Sequence, residues 1–218
     1  MNIAVVGCGR LGLTTAVTLA LMNHKVIGVD IDQTKVDELN NKKTILCERG
    51  LSEALKQTVE SGNLKFTTEL SQAIKTCDYL FVTVPAPIKP NGEYNLDHVA
   101  EVVKSIDQLS PAKQKIIIIR STVPIGTCEE LRTILDNKQH VIVHNPEFFR
   151  EGNVLEDSLN PDRVIFGLPN FIPKLAILFI NLTTVGFLMS SVLGLAANSK
   201  TAIFFPRVFF LSFRKLAL

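Results

Sequence analysis

Apolar residues along this chain fall into short continuous blocks and longer stretches of helical periodicity, and the two kinds alternate. The blocks at 3–6, 25–29, 79–84, 115–119 and 141–143 have the length of strands buried on both faces, with a shorter one at 64–66. Between them lie helix-compatible stretches at 13–21, 33–41, 50–61, 69–76 and 96–109, and one ending near Asp136. In the 50–61 stretch, Leu51, Ala54, Leu55 and Val59 share one face. Alternation of this kind, kept up over about 165 residues, predicts an α/β fold with a doubly wound, mostly parallel sheet.

The junction of the first strand and first helix adds chemistry to that outline. Gly7, Gly9 and Gly12 follow the 3–6 block in the spacing G-x-G-x-x-G. In a Rossmann-type unit the first glycine permits a tight turn, the second lets backbone approach a pyrophosphate, and the third lets helix pack close to strand. The free N–H groups of the helix start then face the anion. The motif alone is weak, but here it follows a strand, opens a helix and precedes a second strand ending in Asp30, eighteen residues past Gly12. An acid there accepts hydrogen bonds from both ribose hydroxyls of NAD and repels the extra phosphate of NADP. NAD is therefore the expected cofactor, against the plainer reading of a glycine-rich turn with an incidental aspartate. Lys35 follows closely enough to meet the adenosine end, or serves as an ordinary solvated helix lysine.

Composition changes the picture in one place. All 21 acidic residues lie at or before Asp162, with 17 Lys and Arg, while the 56 residues that follow hold 6 Lys and Arg and no acid. No basic stripe with interleaved aromatics marks a nucleic-acid surface. Cys8, Cys47, Cys77 and Cys128 are scattered, without a C-x-x-C pair, and Met1 runs straight into a strand. Reduced cysteines in a cytoplasmic protein are expected. His140 and His144 lie on an extended run with Cα atoms about 13 Å apart, too far to share one ion, so no metal is expected.

Polar chemistry gathers after the later strands. Pro85, Pro87 and Pro90 stiffen the loop after the 79–84 block, at a strand's carboxyl end, where ligands of open α/β sheets sit. The next loops read Arg120-Ser121-Thr122-Val123-Pro124-Ile125-Gly126-Thr127 and Asn145-Pro146-Glu147-Phe148-Phe149-Arg150-Glu151-Gly152. Two carboxylates four residues apart, beside aromatics and an arginine, suit site chemistry better than core packing.

Taken together, Gly7-x-Gly9-x-x-Gly12, Val29-Asp30, Val84-Pro85-Ala86-Pro87, the Ser121–Gly126 loop, the Asn145–Gly152 loop and Asn160-Pro161-Asp162-Arg163-Val164 resemble the nucleotide-sugar dehydrogenases, the UDP-glucose/GDP-mannose dehydrogenase family. The resemblance runs from residue 1 to about residue 168 and implies an NAD-binding domain of that extent. It further implies oxidation of a UDP-sugar alcohol to the acid by two hydride transfers to NAD, through an enzyme-bound thiohemiacetal and thioester. UDP-glucose is the substrate it fits best, with relatives acting on GDP-mannose or UDP-N-acetylmannosamine as alternatives. The resemblance assigns Gly7, Gly9, Arg10, Leu11, Gly12, Asp30, Lys35, Ala86, Thr122 and Glu151 to the cofactor. Thr122, Glu147 and Glu151 are its catalytic positions, Glu147 handling protons and thioester hydrolysis. The segment Glu147, Phe148, Phe149, Arg150 and Glu151 would hold substrate. A carboxylate pair beside a nicotinamide can manage the protons that hydride transfer releases.

The departures are specific. Arg10-Leu11 stands where the family has Tyr-Val, and Ala86 where it has a threonine. The family's lysine four residues before an asparagine has no counterpart, since Gly194 stands four before Asn198. Its nucleophilic cysteine, in G-x-C-x-P-K-D, is absent from these 218 residues. This predicts a chain that binds NAD without completing the oxidation, and a family-like homodimer is not expected without the cysteine-bearing half. A non-catalytic NAD- or nucleotide-binding module is the rival reading. Residues 169–218 form an atypical hydrophobic tail, in which 175–199 carries no charge. As a helix that stretch is about 37 Å long, enough to span a bilayer core. A membrane segment, an interdomain helix cut short and an out-of-frame stretch all remain open for it. The last accounts for the loss of acids and of resemblance together.

Overall fold

The computed structural model describes residues 1–110, 113–161, 164–167 and, by backbone alone, 201–204. In chain order the elements are β1 (Asn2–Val6), α1 (Arg10–Leu21), β2 (Lys25–Val29), α2 (Gln33–Asn40), α3 (Leu51–Glu60), β3 (Leu64–Thr67), α4 (Leu70–Thr76) and β4 (Tyr79–Val82). There follow α5 (Asp97–Leu109), β5 (Ile116–Ile119), α6 (Thr127–Thr133), β6 (Val141–His144), α7 (Val154–Leu159), β7 (Val164–Gly167) and β8 (Thr201–Phe204).

These strands form one sheet in the order β3-β2-β1-β4-β5-β6-β7-β8. The first six positions are parallel, and β7 and β8 close the edge antiparallel. This is the doubly wound, Rossmann-type sheet that the pattern predicts. Strand order reverses between β1 and β4, and loops from both open into the crevice where such sheets take their ligand.

Alternate side chains of one strand enter different cores, which is why the blocks read as continuously apolar. Ile3 and Val5 pack with Leu13, Ala16 and Val17 of α1 and Leu51 and Leu55 of α3. Ala4 and Val6 pack with Ile74 of α4, Val99 and Val103 of α5 and Leu131 of α6. Helix α5 is strongly amphipathic and buries Val99, Val103 and Ile106 completely.

Three features depart from the expected boundaries. Helix α1 begins at Arg10 rather than Leu13, because Arg10 and Gly12 interrupt the apolar period in its first turn. Strand β4 ends at Val82 rather than 84, since Thr83 and Val84 turn towards Pro85 and the Thr83 hydroxyl bonds back to Val6 and Gly7 carbonyls, 2.8 Å each. The short α7 and the antiparallel β7 have no signal in the periodicity. The sheet also takes in Thr201–Phe204, within the stretch that composition sets apart. The charge-free run 175–199 lies outside the described residues. Among the described residues no helix is long and apolar enough to cross a membrane.

Candidate active site

The glycine-rich loop is held by contacts that leave no room at two of its three glycines. Gly7 has φ +97°, a left-handed conformation, and its N–H donates to Val29 O at 2.8 Å. A Cβ on Gly12 would lie 1.7 Å from Gly7 O and 2.7 Å from Thr83 Oγ1. A Cβ on Gly9 would meet no atom within 4 Å, so Gly9 borders open space. Gly9 is also the N-cap of α1, with no side chain capping that end and no acid in the first turn. The first N–H groups of α1 are therefore left to an outside acceptor, and nothing nearby in the first turn repels an anion. This cradle fits a dinucleotide pyrophosphate.

Asp30 closes the loop from the end of β2. Its buried carboxylate accepts from Cys8 N–H (2.8 Å), Asp32 N–H (3.1 Å) and Lys35 Nζ (3.0 Å). Lys35 is thus paired with the acid expected to hold the ribose, instead of standing as a solvated helix lysine. Beside it, Ile31 is 99 % exposed at the sheet's carboxyl edge, an apolar shelf that sequence reading passed over. Leu11 is partly buried, and Ala86 packs against the α4–α6 core.

The loops after β4, β5 and β6 are tied together. Ser121 Oγ donates to Val84 O at 2.6 Å, and exposed Thr122 donates to Glu147 Oε1 at 3.4 Å. Thr122 and Glu147, 25 residues apart, are thereby one hydroxyl–carboxylate pair. Behind them the Arg120 guanidinium lies 5.3 Å from the Phe149 ring centroid and donates to Asn145 Oδ1. Burial pulls Arg120 down to about 10, against the Glu147 carboxylate, which raises it, so it stays charged at neutral pH. Asn145 is itself buried and donates to Ile165 O at 2.9 Å, fixing the root of the loop to β7. A cavity of about 130 Å³ lies under this loop, bounded by Thr18, Phe81, Arg120 and Phe149 among others.

Within the expected substrate segment, Arg150 and Glu151 form ion pairs inside the protein. Arg150 donates from its backbone N–H (2.8 Å), Nε (3.1 Å) and Nη2 (2.6 Å) to the Asp157 carboxylate on α7. Its N–H and fork therefore staple the loop to α7, whereas Phe148 is 43 % exposed on the open side. The Arg150 bonds hold the Asp157 carboxyl below the usual carboxylate range. A carboxylate whose folded value is depressed contributes stability above its unfolded value and loses it as pH falls through the folded one. Asp157→Asn should therefore lower the melting temperature at neutral pH, and the gap from the parent chain should close in acid below the ordinary carboxylate range. A gap of constant size across a pH series of thermal melts would contradict this.

Glu151 reaches the start of α1 instead, accepting from Arg10 Nη1 at 2.8 Å. Glu48, between α2 and α3, stands 3.6 Å from Arg10 Nε and carried no sequence signal. His140 Nδ1 accepts the Lys115 N–H at 3.0 Å, so that ring serves the backbone. Among the described residues no three His, Cys, Asp or Glu side chains gather as a metal cluster.

Fold and site together define a dinucleotide-binding unit of the dehydrogenase type. Residues 1–173 match the UDP-glucose/GDP-mannose dehydrogenase family, NAD binding domain. The chain belongs to that family, and its cofactor is NAD. A UDP-glucose 6-dehydrogenase from Rickettsia typhi is 38 % identical over 172 residues, covering 78 % of this chain and 39 % of that protein. A UDP-glucose 6-dehydrogenase from Bacillus subtilis is 32 % identical over 174 residues, covering 77 % and 39 %. Among solved structures, a ternary complex of GDP-mannose dehydrogenase from Pseudomonas aeruginosa superposes with TM-score 0.77 at 29 % identity, covering 84 % of this chain and 44 % of that one. A UDP-glucose dehydrogenase from Pyrobaculum islandicum gives TM-score 0.76 at 32 % identity, covering 83 % and 43 %. The chain thus spans less than half the length of these relatives.

Proposed function

We propose that this chain supplies the NAD-holding half of a UDP-glucose 6-dehydrogenase, in which a UDP-sugar alcohol is oxidised to the acid. The observation that carries the reading is the joint placement, at the carboxyl ends of the parallel strands, of the open Gly9 cradle, the fixed Asp30 carboxylate and the Thr122–Glu147 pair. Relatives from Rickettsia and Bacillus that bear the UDP-glucose name support that sugar over GDP-mannose.

When bound, NAD supplies the hydride acceptor. The N–H groups at the start of α1 hold its pyrophosphate, and Asp30 takes the adenosine ribose hydroxyls while Cys8 N–H and Lys35 keep the carboxylate in place. Ile31 offers the adenine an apolar floor. Glu147 accepts the proton that an alcohol releases on oxidation, with Thr122 orienting the carboxylate from 3.4 Å. Phe148 lines the substrate side, Arg120 and Phe149 hold that loop from behind, and Asn145 and Asp157 anchor it below.

Asp30 makes cofactor choice the direct test. The chain should bind NAD at least about thirtyfold more tightly than NADP, because the buried carboxylate meets the 2′-phosphate with like charge. Calorimetric titration with both cofactors reads the ratio. Equal or tighter NADP binding would remove Asp30 from the ribose.

A further inference from the structure

Arg10 stands at a position where the family resemblance leads one to expect tyrosine, and it makes a contact that no sequence spacing foreshadows. It opens α1 directly after Gly9, with its side chain 54 % exposed. Nη1 donates to Glu151 Oε1 at 2.8 Å, and Nε lies 3.6 Å from Glu48 Oε1. The two acids come from loops 103 residues apart in sequence, one between α2 and α3 and one after β6. Glu151 is 89 % exposed and Glu48 only 5 %.

Glu48 makes the arrangement more than a surface ion pair. Its Oε2 is buried without a hydrogen-bond partner among the described residues. A carboxylate taken out of water needs compensating charge, and Arg10 is the cation the structure sets against it. The same guanidinium neutralises Glu151, an isolated exposed pair that would contribute little by itself. All three groups gather at the side chain of the first residue of α1, the helix whose first N–H groups are left open for an anion.

We propose that Arg10 is a charge-balancing and positioning residue of the cofactor mouth. It clips the 145–153 loop to the start of α1, and it screens an incoming pyrophosphate from Glu48 and Glu151. The proposal rests on the reading that the pyrophosphate lies over Gly9. With Arg10 the cluster carries a net charge of −1. Without it, two full negative charges border the anion seat, and their repulsion is strongest at low ionic strength.

The test uses the full 218-residue chain and NAD itself. Titrations at about 20 mM and about 500 mM NaCl compare the parent with Arg10→Gln, Arg10→Lys and Arg10→Gln/Glu151→Gln. Arg10→Gln should weaken NAD about tenfold at low salt and only about twofold at high salt. Adding Glu151→Gln should recover most of the loss, and Arg10→Lys should fall in between. Hydrogen exchange of 147–153 in the cofactor-free chain should quicken in Arg10→Gln, while thermal melts confirm that each variant is folded. Parent-like affinity of Arg10→Gln at low salt overturns the proposal, as does a loss that Glu151→Gln leaves untouched. Unchanged exchange overturns the positioning role. A parent chain that binds no NAD refutes the cofactor reading instead, and the exchange measurement still tests the clip.

Discussion

Alanine at Gly9 should abolish NAD binding at unchanged stability, and alanine at Gly12 should unfold the domain. The motif gives the two glycines different tasks, and the structure bears on each separately. The Gly12 Cβ would lie 1.7 Å from Gly7 O, a backbone atom held by the turn that also bonds Val29. Relieving that overlap means moving α1 away from β1 and breaking the packing of Leu13, Ala16 and Val17 against the sheet. Forced overpacking of this kind costs about 3 kcal/mol or more, a large share of the ~5–15 kcal/mol that holds a domain together. At Gly9 the added methyl meets nothing within 4 Å, and its φ of −73° suits any residue. Stability should stay within about 0.5 kcal/mol of the parent. With the pyrophosphate over Gly9, as proposed, the methyl fills the space it needs, so NAD affinity should fall at least about hundredfold. Thermal melts and calorimetry on the two variants separate these outcomes. A folded Gly12→Ala chain, or a Gly9→Ala chain with parent-like affinity, would contradict them.

The second large effect is catalytic. The 218-residue chain, given NAD and UDP-glucose, should form no measurable NADH. The four-electron oxidation of the resemblance needs a thiolate to capture the aldehyde, and none of the cysteines here is built for that task. Cys8 lies in the glycine-rich loop but is buried against Val29, where burial and the adjoining Asp30 push it up to about 12. Burial likewise raises Cys128 to about 11 and pushes Cys77 up at the opposite end of the sheet from the crevice. Cys47 is exposed between α2 and α3, outside any G-x-C-x-P-K-D sequence. Losing one such group costs several orders of magnitude in rate, so a site without it falls below detection. The assay is absorbance of NADH alongside a calorimetric NAD titration. Steady formation of two NADH per sugar would refute the prediction. Cofactor binding without turnover is also what a non-catalytic NAD-binding module would show. Reconstitution with a G-x-C-x-P-K-D-bearing partner half tells the two apart.

Read residue by residue, the sequence determined the frame: a parallel sheet, the β1–α1–β2 unit, and NAD as the cofactor. Strands buried on both faces must be apolar at every position, and helices over them on one face only, so both periods are written locally. The glycine spacing is local too, since turn, approach and close packing all occur within six residues. The antiparallel edge was not legible. Helix α7 holds six residues, too short to show a period, and the direction in which a strand such as β7 pairs is not written in its own residues. The tertiary structure alone decided how the charged groups spend themselves. Asp30 is paired with Lys35, Arg150 with Asp157 across a turn, and Arg10 with acids 38 and 141 positions away. The Arg10 pairings follow from which loops the sheet order brings to one edge, whereas the other two are made between near neighbours along the chain. That proximity belongs to the crossovers, and the same charged residues on another strand order would have met different partners.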